Sequence, residues 1–214
     1  MPLNKQAIQV RARHILDPVA GFLLRLGLSP NALTLLGLAL SIGCGFLIGG
    51  GHLLIASLVL LLGGLCDMLD GGMARRGSLS SQRGAFLDST LDRLAEIAMY
   101  LGLLVFFHER LAMQIVTGLA LTGSLMTSYA RARSEGLGIE CKVGLLERPE
   151  RLILLFLGLL LAPVRLGGIT WLELILGILA LLSYVTTFQR IVHVLSKSSR
   201  EGTGKRARRQ AGAL

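Results

Sequence analysis

Charge is what this chain has least of: 16% of its 214 residues are Asp, Glu, Lys or Arg, against 52% hydrophobic, and the mean hydropathy is +0.65. An ordinary globular domain carries roughly 25% charged residues, so a water-soluble globule is excluded. Cysteine is scarce too. Cys44, Cys66 and Cys141 show neither paired spacing nor a nearby set of histidines, which leaves a disulfide framework and a zinc centre unsupported and reads the three as small buried hydrophobes. The first thirty residues contain no uninterrupted apolar core followed by a small-residue cleavage site, so no removable signal peptide is expected and the first true span should serve as the insertion signal. No repeat with a period of roughly 20 to 50 residues is apparent.

What the chain does have is apolar runs, glycine and a surplus of positive charge. From Leu26 to Cys66 there are 41 residues without an Asp, Glu, Lys or Arg, interrupted by Gly49-Gly50-Gly51-His52; that reads as two spans joined by a tight turn. Ser29-Pro30 supplies a capping serine followed by proline at the first helical position, which starts span one near Asn31 and ends it near Ile48. Span two begins near Leu53, and further apolar stretches run from Gly84 to His108, Leu111 to Ala130, Pro149 to Val164 and Ile169 to Gln189. The fifth has a charge-free run of 13 residues, Leu152 to Val164, so crossing requires it to reach back to Pro149 with Arg151 snorkelling to water. The 27 glycines point to close helix packing.

The expected fold is therefore an all-α integral membrane domain of six transmembrane helices. An amphipathic interfacial helix precedes it, with Ile8, Ile15, Val19, Phe22, Leu23 and Leu26 at helical spacing and Lys5, Arg11, Arg13 and Arg25 elsewhere around the wheel. Asp17-Pro18 is expected to break or restart that helix. The layout is an N-terminal cytoplasmic segment over residues 1–28, a catalytic membrane domain over 29–195 and a basic, disordered tail over 196–214. Of the 22 Lys and Arg, Arg110 and Arg165 fall in outer turns and the rest fall inward, which makes both termini cytoplasmic and the protein a multi-pass component of the cell (inner) membrane. A formal charge of +9 suits an anionic membrane face or an anionic substrate; in a membrane chain these lead over nucleic acid, which is not an expected partner.

Within the apolar background stands one acidic constellation. Asp67, Asp70, Gly71 and Ala74 fall at i, i+3, i+4 and i+7, and Gly84, Asp88, Asp92 and Glu96 recur every fourth residue, so each set occupies one stripe of a helix. At about 1.5 Å per residue, Asp67 lies about 21 Å from Leu53 and Asp92 about 24 Å from His108, which puts them level in the cytoplasmic third of the membrane. A carboxylate at the centre of a span costs about 2.5 to 3.5 kcal/mol on insertion scales, and such residues are functional candidates by default. Four facing carboxylates raise one another's pKa, so a cation is needed to offset them. All-oxygen ligation without convergent His or Cys favours Mg²⁺ or Mn²⁺, and four acids could hold two ions, an arrangement suited to phosphoryl transfer. Ion pairing of these acids with Arg75, Arg76, Arg83 and Arg93 is the bland alternative.

These residues resemble the CDP-alcohol phosphotransferases. Asp67-x-x-Asp70-Gly71-x-x-Ala74-Arg75, then eight residues, then Gly84-x-x-x-Asp88-x-x-x-Asp92 matches that family's signature at every fixed position. The resemblance implies transfer of a substituted phosphoryl group from a CDP-linked donor to an alcohol with release of CMP, by a homodimeric enzyme. It implies that Asp67, Asp70, Asp88 and Asp92 bind the metals, with Asp92 as general base, and that Asp67, Asp70, Gly71, Ala74, Arg75 and Gly84 meet the CDP moiety. Glu96 lies outside the signature and reads as a structural partner of Arg93.

A lipid donor, CDP-diacylglycerol, fits a site at membrane depth. The segments Ser128 to Arg133 and Glu147 to Arg151 look like the branch that makes phosphatidylinositol phosphate from inositol phosphate. The acceptor phosphate would then be held by Arg131, Arg148, Arg151 and Arg190, all at one cytoplasmic level. Positive-inside flanking is the plainer account of these arginines, and glycerol phosphate, inositol or a soluble CDP-alcohol donor remain open within the family. Two rivals belong elsewhere. An intramembrane prenyltransferase also uses aspartates with magnesium pyrophosphate, but its motif would not require Gly71, Ala74 and Arg75. A cation transporter would place acids midway through broken helices of an inverted repeat.

Overall fold

A computed structural model describes residues 17–76 and 81–211, without the side chains of Arg75 and residues 199–211. The expectations placed on Lys5, Ile8, Arg11, Arg13 and Ile15 lie outside the described residues. Helix α1 includes residues 17–25. It is followed by α2 (Pro30–Gly49), α3 (Leu53–Arg76), α4 (Gln82–Phe106), α5 (Leu111–Gly136), α6 (Arg148–Leu160), a two-stranded ribbon of β1 (Arg165–Leu166) and β2 (Ile169–Thr170), and α7 (Trp171–Ala211). The ribbon is antiparallel and pairs Arg165 with Thr170 and Leu166 with Ile169.

The helices begin where capping chemistry starts them. Ser29 caps α2 by accepting the amide of Ala32, with Pro30 next to it, and Ser81 caps α4 by accepting the amide of Gly84 at 3.0 Å. At α6, Glu147 and Glu150 form a reciprocal capping box, the Glu147 amide donating to Glu150 Oε2 at 3.1 Å. Among the described residues, four helices are long and apolar enough to cross a membrane: Pro30–Gly49, Leu53–Ala74, Leu111–Gly136 and Trp171–Ser198. The two other expected spans are not among them. α4 has ample length, 25 residues, but carries Asp88, Asp92, Arg93 and Glu96; α6 has 13 residues, about 20 Å of helix against a hydrocarbon core of about 30 Å. Nor does Arg151 snorkel outward: it is buried in α6. α7 continues to Ala211, so residues 196–211 of the tail expected to be disordered are helical.

The chain forms two compact units, Met1–His108 and Glu109–Leu214. In the first, α2 packs against both α3 and α4. The α2–α4 contact depends on the absence of side chains: a Cβ on Gly102 would overlap the Gly45 carbonyl, and one on Gly45 would overlap that of Ala98, so the two backbones touch directly. At the other end, Ala20 of α1, Leu33 of α2 and Met73 of α3 form a buried cluster, and Asp17 pairs with Arg76 at 3.8 Å. Helix α1 thus lies on the end of α3, with Val19, Phe22 and Leu26 left exposed. In the second unit, α7 packs against α5 and α6. Its interface with α5 is a buried polar seam in which Thr127 Oγ1 meets the Ser183 carbonyl at 2.9 Å and Thr187 Oγ1 at 3.0 Å. At the far end, Arg110 pairs with the nearly buried Glu173.

Candidate active site

The first unit gathers three of the four aspartates. Asp67, Asp70 and Asp88 each offer a carboxylate oxygen, and these oxygens all lie within 4.8 Å of one another. Oxygens sharing one cation at bond lengths of about 2.0 to 2.6 Å stand at most about 4 to 5 Å apart, so the donor set fits a single hard divalent ion. Asp92, one turn further along α4, is not in the group. The geometry has a local origin: the Ser81 cap fixes the first turn of α4, and Asp88 follows Gly84 by one further turn, while Asp67 and Asp70 are one turn apart on α3.

The carboxylates border a cavity of about 250 Å³ lined by Asp70, Gly71 and Ala74 of α3, by Ser81, Gly84, Ala85 and Asp88 around the start of α4, and by Pro30, Asn31 and Thr34 of α2. Gly71, Ala74 and Gly84, assigned from the resemblance to the nucleotide, therefore share one hollow with two of the acids. Thr34 Oγ1 donates to Asp70 Oδ2 at 2.7 Å, which orients a carboxylate that is itself 6% exposed. Among the arginines considered as ion-pair partners, Arg76 pairs with Asp17 and Arg93 donates to the Ser89 carbonyl. Arg75 lies in α3, its side chain outside those described. Glu96 is buried in α4.

The second unit gathers the basic residues. Arg151 and Arg190 are each 2% exposed. Arg151 Nη2 donates to Ser128 Oγ at 3.3 Å, and Arg190 Nη1 donates to the carbonyl of the adjacent Thr127 at 2.7 Å. Both guanidiniums therefore reach the same turn of α5. Arg131, one turn on, is half-exposed and donates to Glu135 Oε1 at 2.9 Å. Arg148 is half-buried at the start of α6. Four arginines, Arg131, Arg148, Arg151 and Arg190, stand against three acids, Glu135 paired with Arg131 and Glu147 and Glu150 at the cap of α6, so positive charge exceeds negative and suits an anion. In the connection from α5 to α6, Lys142 pairs with Glu140 and holds its carboxyl below the usual range.

Several residues at these sites were not assigned a site role from the sequence. Asn31 and Thr34 are polar positions in the first turns of an otherwise apolar helix, and that anomaly could have marked them. Thr186 and Thr187 are ordinary small polar residues of an apolar helix, and nothing in their spacing announces a role; Ser128 begins the segment to Arg133 already singled out, though not for a contact with Arg151.

Comparisons with known proteins show the family to which the chain belongs. The CDP-alcohol phosphatidyltransferase family matches residues 27–189. An archaetidylinositol phosphate synthase of Methanothermobacter thermautotrophicus is 37% identical over 183 residues, 85% of this chain and 89% of the relative. A phosphatidylinositol phosphate synthase of Mycobacteroides abscessus is 36% identical, covering 83% of this chain and 82% of the relative. The crystal structure of Mycobacterium tuberculosis phosphatidylinositol phosphate synthase with CDP-DAG bound superposes with a TM-score of 0.77 at 34% identity, covering 85% of this chain and 94% of that one. The same enzyme has been solved in complex with manganese and citrate, again with a TM-score of 0.77 at 34% identity and coverage of 84% and 88%. With a match spanning the acidic hollow of the first unit and almost all of the arginine cluster of the second, the chain belongs to the CDP-alcohol phosphatidyltransferase family.

Proposed function

We propose that this protein is a phosphatidylinositol phosphate synthase of the membrane: it transfers the phosphatidyl group of CDP-diacylglycerol to a hydroxyl of inositol phosphate and releases CMP. The observation that carries the reading is the convergence of Asp67, Asp70 and Asp88 beside a hollow walled by Gly71, Ala74 and Gly84. The relatives named above support the choice of donor and acceptor. The family to which the chain belongs favours this reading over a transporter.

Asp67, Asp70 and Asp88 would hold one or two divalent ions, Mg²⁺ or Mn²⁺, with Asp92 completing the set. A cation held by these carboxylates would supply charge neutralisation for the donor's pyrophosphate and for the departing CMP. Thr34 keeps the Asp70 carboxylate in its ligating orientation. Gly71 and Gly84 leave space for the nucleotide, and Ala74 and Arg75 complete its contacts. Asp92 takes the proton of the attacking hydroxyl as the new P–O bond forms and the P–O bond to CMP breaks. Arg131, Arg148, Arg151 and Arg190 hold the phosphate of the acceptor, which fixes the orientation of its free hydroxyls.

The membrane topology follows the same reading. α4 and α6 are the third and fifth crossings, α4 admitting charge because its acidic stripe faces the site and α6 being shorter than the hydrocarbon. Both termini are cytoplasmic in the cell (inner) membrane, α1 lies in the interface with Phe22 and Leu26 in lipid, and the enzyme is a homodimer. Purified protein incubated with CDP-diacylglycerol, Mg²⁺ and separate acceptors (inositol phosphate, glycerol phosphate, serine, inositol) should release CMP fastest with inositol phosphate. Equal or faster release with another acceptor would replace it; no release with any would end the reading.

A further inference from the structure

The segment between α5 and α6, residues 137–147, has no regular structure, yet it delivers Arg148 and Arg151 to their places. We propose that Thr186 is the positioning residue that pins this segment, and through it the acceptor-binding end of α6; the inference rests on the acceptor reading above.

Thr186 is fully buried on α7. The hydroxyl of its neighbour Thr187 donates to the Ser183 carbonyl of its own helix at 3.0 Å, the usual local outlet for a threonine in a helix. Thr186 differs: its Oγ1 accepts the amide of Leu146, forty residues upstream, at 3.1 Å. One helical turn further along α7, Arg190 Nε donates to the Val143 carbonyl at 2.9 Å. Two successive turns of a rigid helix therefore hold the segment by one amide and one carbonyl. Between them lies Gly144 at φ +136°, where a Cβ would overlap Thr186 Cγ2 and stand 3.4 Å from Arg190 Nε. The backbone passes directly over the threonine, in a conformation that side-chain-bearing residues rarely adopt.

The pin transmits to the arginines because there is no slack after it. Leu146 is 3% exposed, the next residue, Glu147, is the cap of α6, and Arg148 is its first helical residue. A displacement of Leu146 moves the cap, and with it the turn from which Arg151 reaches Ser128. Arg190 cannot be used to isolate the effect, since it is one of the proposed phosphate ligands. Thr186 can: it touches the segment and is not among the residues assigned to donor, metal or acceptor.

Thr186→Val keeps the volume and removes the acceptor oxygen, leaving the Leu146 amide buried without its partner. In full-length protein in lipid nanodiscs, the expected result is faster deuterium uptake across residues 139–147 with α2, α3 and α4 unchanged. The acceptor KM should rise about tenfold, the size expected when a buried amide loses its partner, with the CDP-diacylglycerol KM and the Mg²⁺ dependence held within about twofold. Thr186→Ser, which restores the oxygen, should return both readouts toward wild type. Gly144→Ala approaches the same contact from the other side and should reproduce the acceptor-selective defect; it decides the matter if Thr186→Val does not fold. Unchanged uptake in the segment, donor and acceptor KM rising together, an unchanged acceptor KM despite faster uptake, or failure of the serine variant to rescue would each overturn the pin while leaving the acceptor reading intact. Wild-type enzyme that releases CMP with other acceptors but not with inositol phosphate would overturn both.

Discussion

The acidic hollow of the first unit and the arginine cluster of the second solve opposite electrostatic problems by opposite means. Asp67, Asp70 and Asp88 are like charges held within one ion's span, with Thr34 as a hydrogen-bond donor to Asp70; the helices bring them together, and a bound cation would offset their repulsion. Arg151 and Arg190 are like charges too, but they are tied into the scaffold through Ser128, Thr127 and Val143. The difference teaches that the two clusters answer to different tests: loss of an aspartate is expected to show first in metal-dependent activity, whereas loss of Arg151 or Arg190 also removes hydrogen bonds that tie the scaffold together.

That contrast can be broken experimentally, most severely at the acids. Asp70→Asn should reduce metal-dependent CMP release to background while the protein still purifies as a folded membrane protein; retention of both metal binding and turnover would remove Asp70 from the site. Asp92→Asn should keep donor binding and the ion held by Asp67, Asp70 and Asp88 but lower kcat by about 10²- to 10⁴-fold, the usual contribution of a general base. Near-normal single-turnover CMP release would assign the proton elsewhere. Thr34→Val should weaken Mg²⁺ about tenfold, the lower end for loss of a group orienting a ligand, as read from the metal concentration giving half-maximal activity. Arg151→Ala should raise the acceptor KM by about tenfold, as for a lost charge-assisted hydrogen bond, and should also lower thermal stability, because Ser128 loses its partner; an effect on stability alone would make the arginine purely structural. At the bottom of the scale, Arg76→Ala breaks a half-exposed pair with Asp17 and should change stability by less than about 1 kcal/mol, measured by thermal denaturation in detergent.

Much of the first unit could be read in advance, because helical periodicity is local. Spacing of three and four residues places Asp67 with Asp70 and Asp88 with Asp92 on their helices whatever the surroundings, and the Ser29-Pro30 start is written in adjacent residues. Depth counting went less far. It put all four aspartates in the cytoplasmic third, and Asp67, Asp70 and Asp88 converge, but residues per turn say nothing of how each helix is rotated or tilted toward the other. The wall supplied by Asn31 and Thr34 was hidden for the same reason: α2 is distant in sequence from both acidic stripes. In the second unit the arginines were visible as residues but not as a network, and the inward turn of Arg151 ran against the expectation that a charge near a helix end extends to water.

The amino-acid order alone determined that this is a helical membrane protein with paired acidic stripes and the family's signature, because hydropathy and the 3.6-residue period act over neighbouring positions. The tertiary structure decided which three carboxylates share an oxygen-lined site, which helix closes it, and that α7 pins the segment leading to α6. Those outcomes depend on contacts between residues tens of positions apart, such as Thr34 with Asp70 and Leu146 with Thr186, where packing and the need to satisfy buried polar groups select one arrangement from many that local spacing allows.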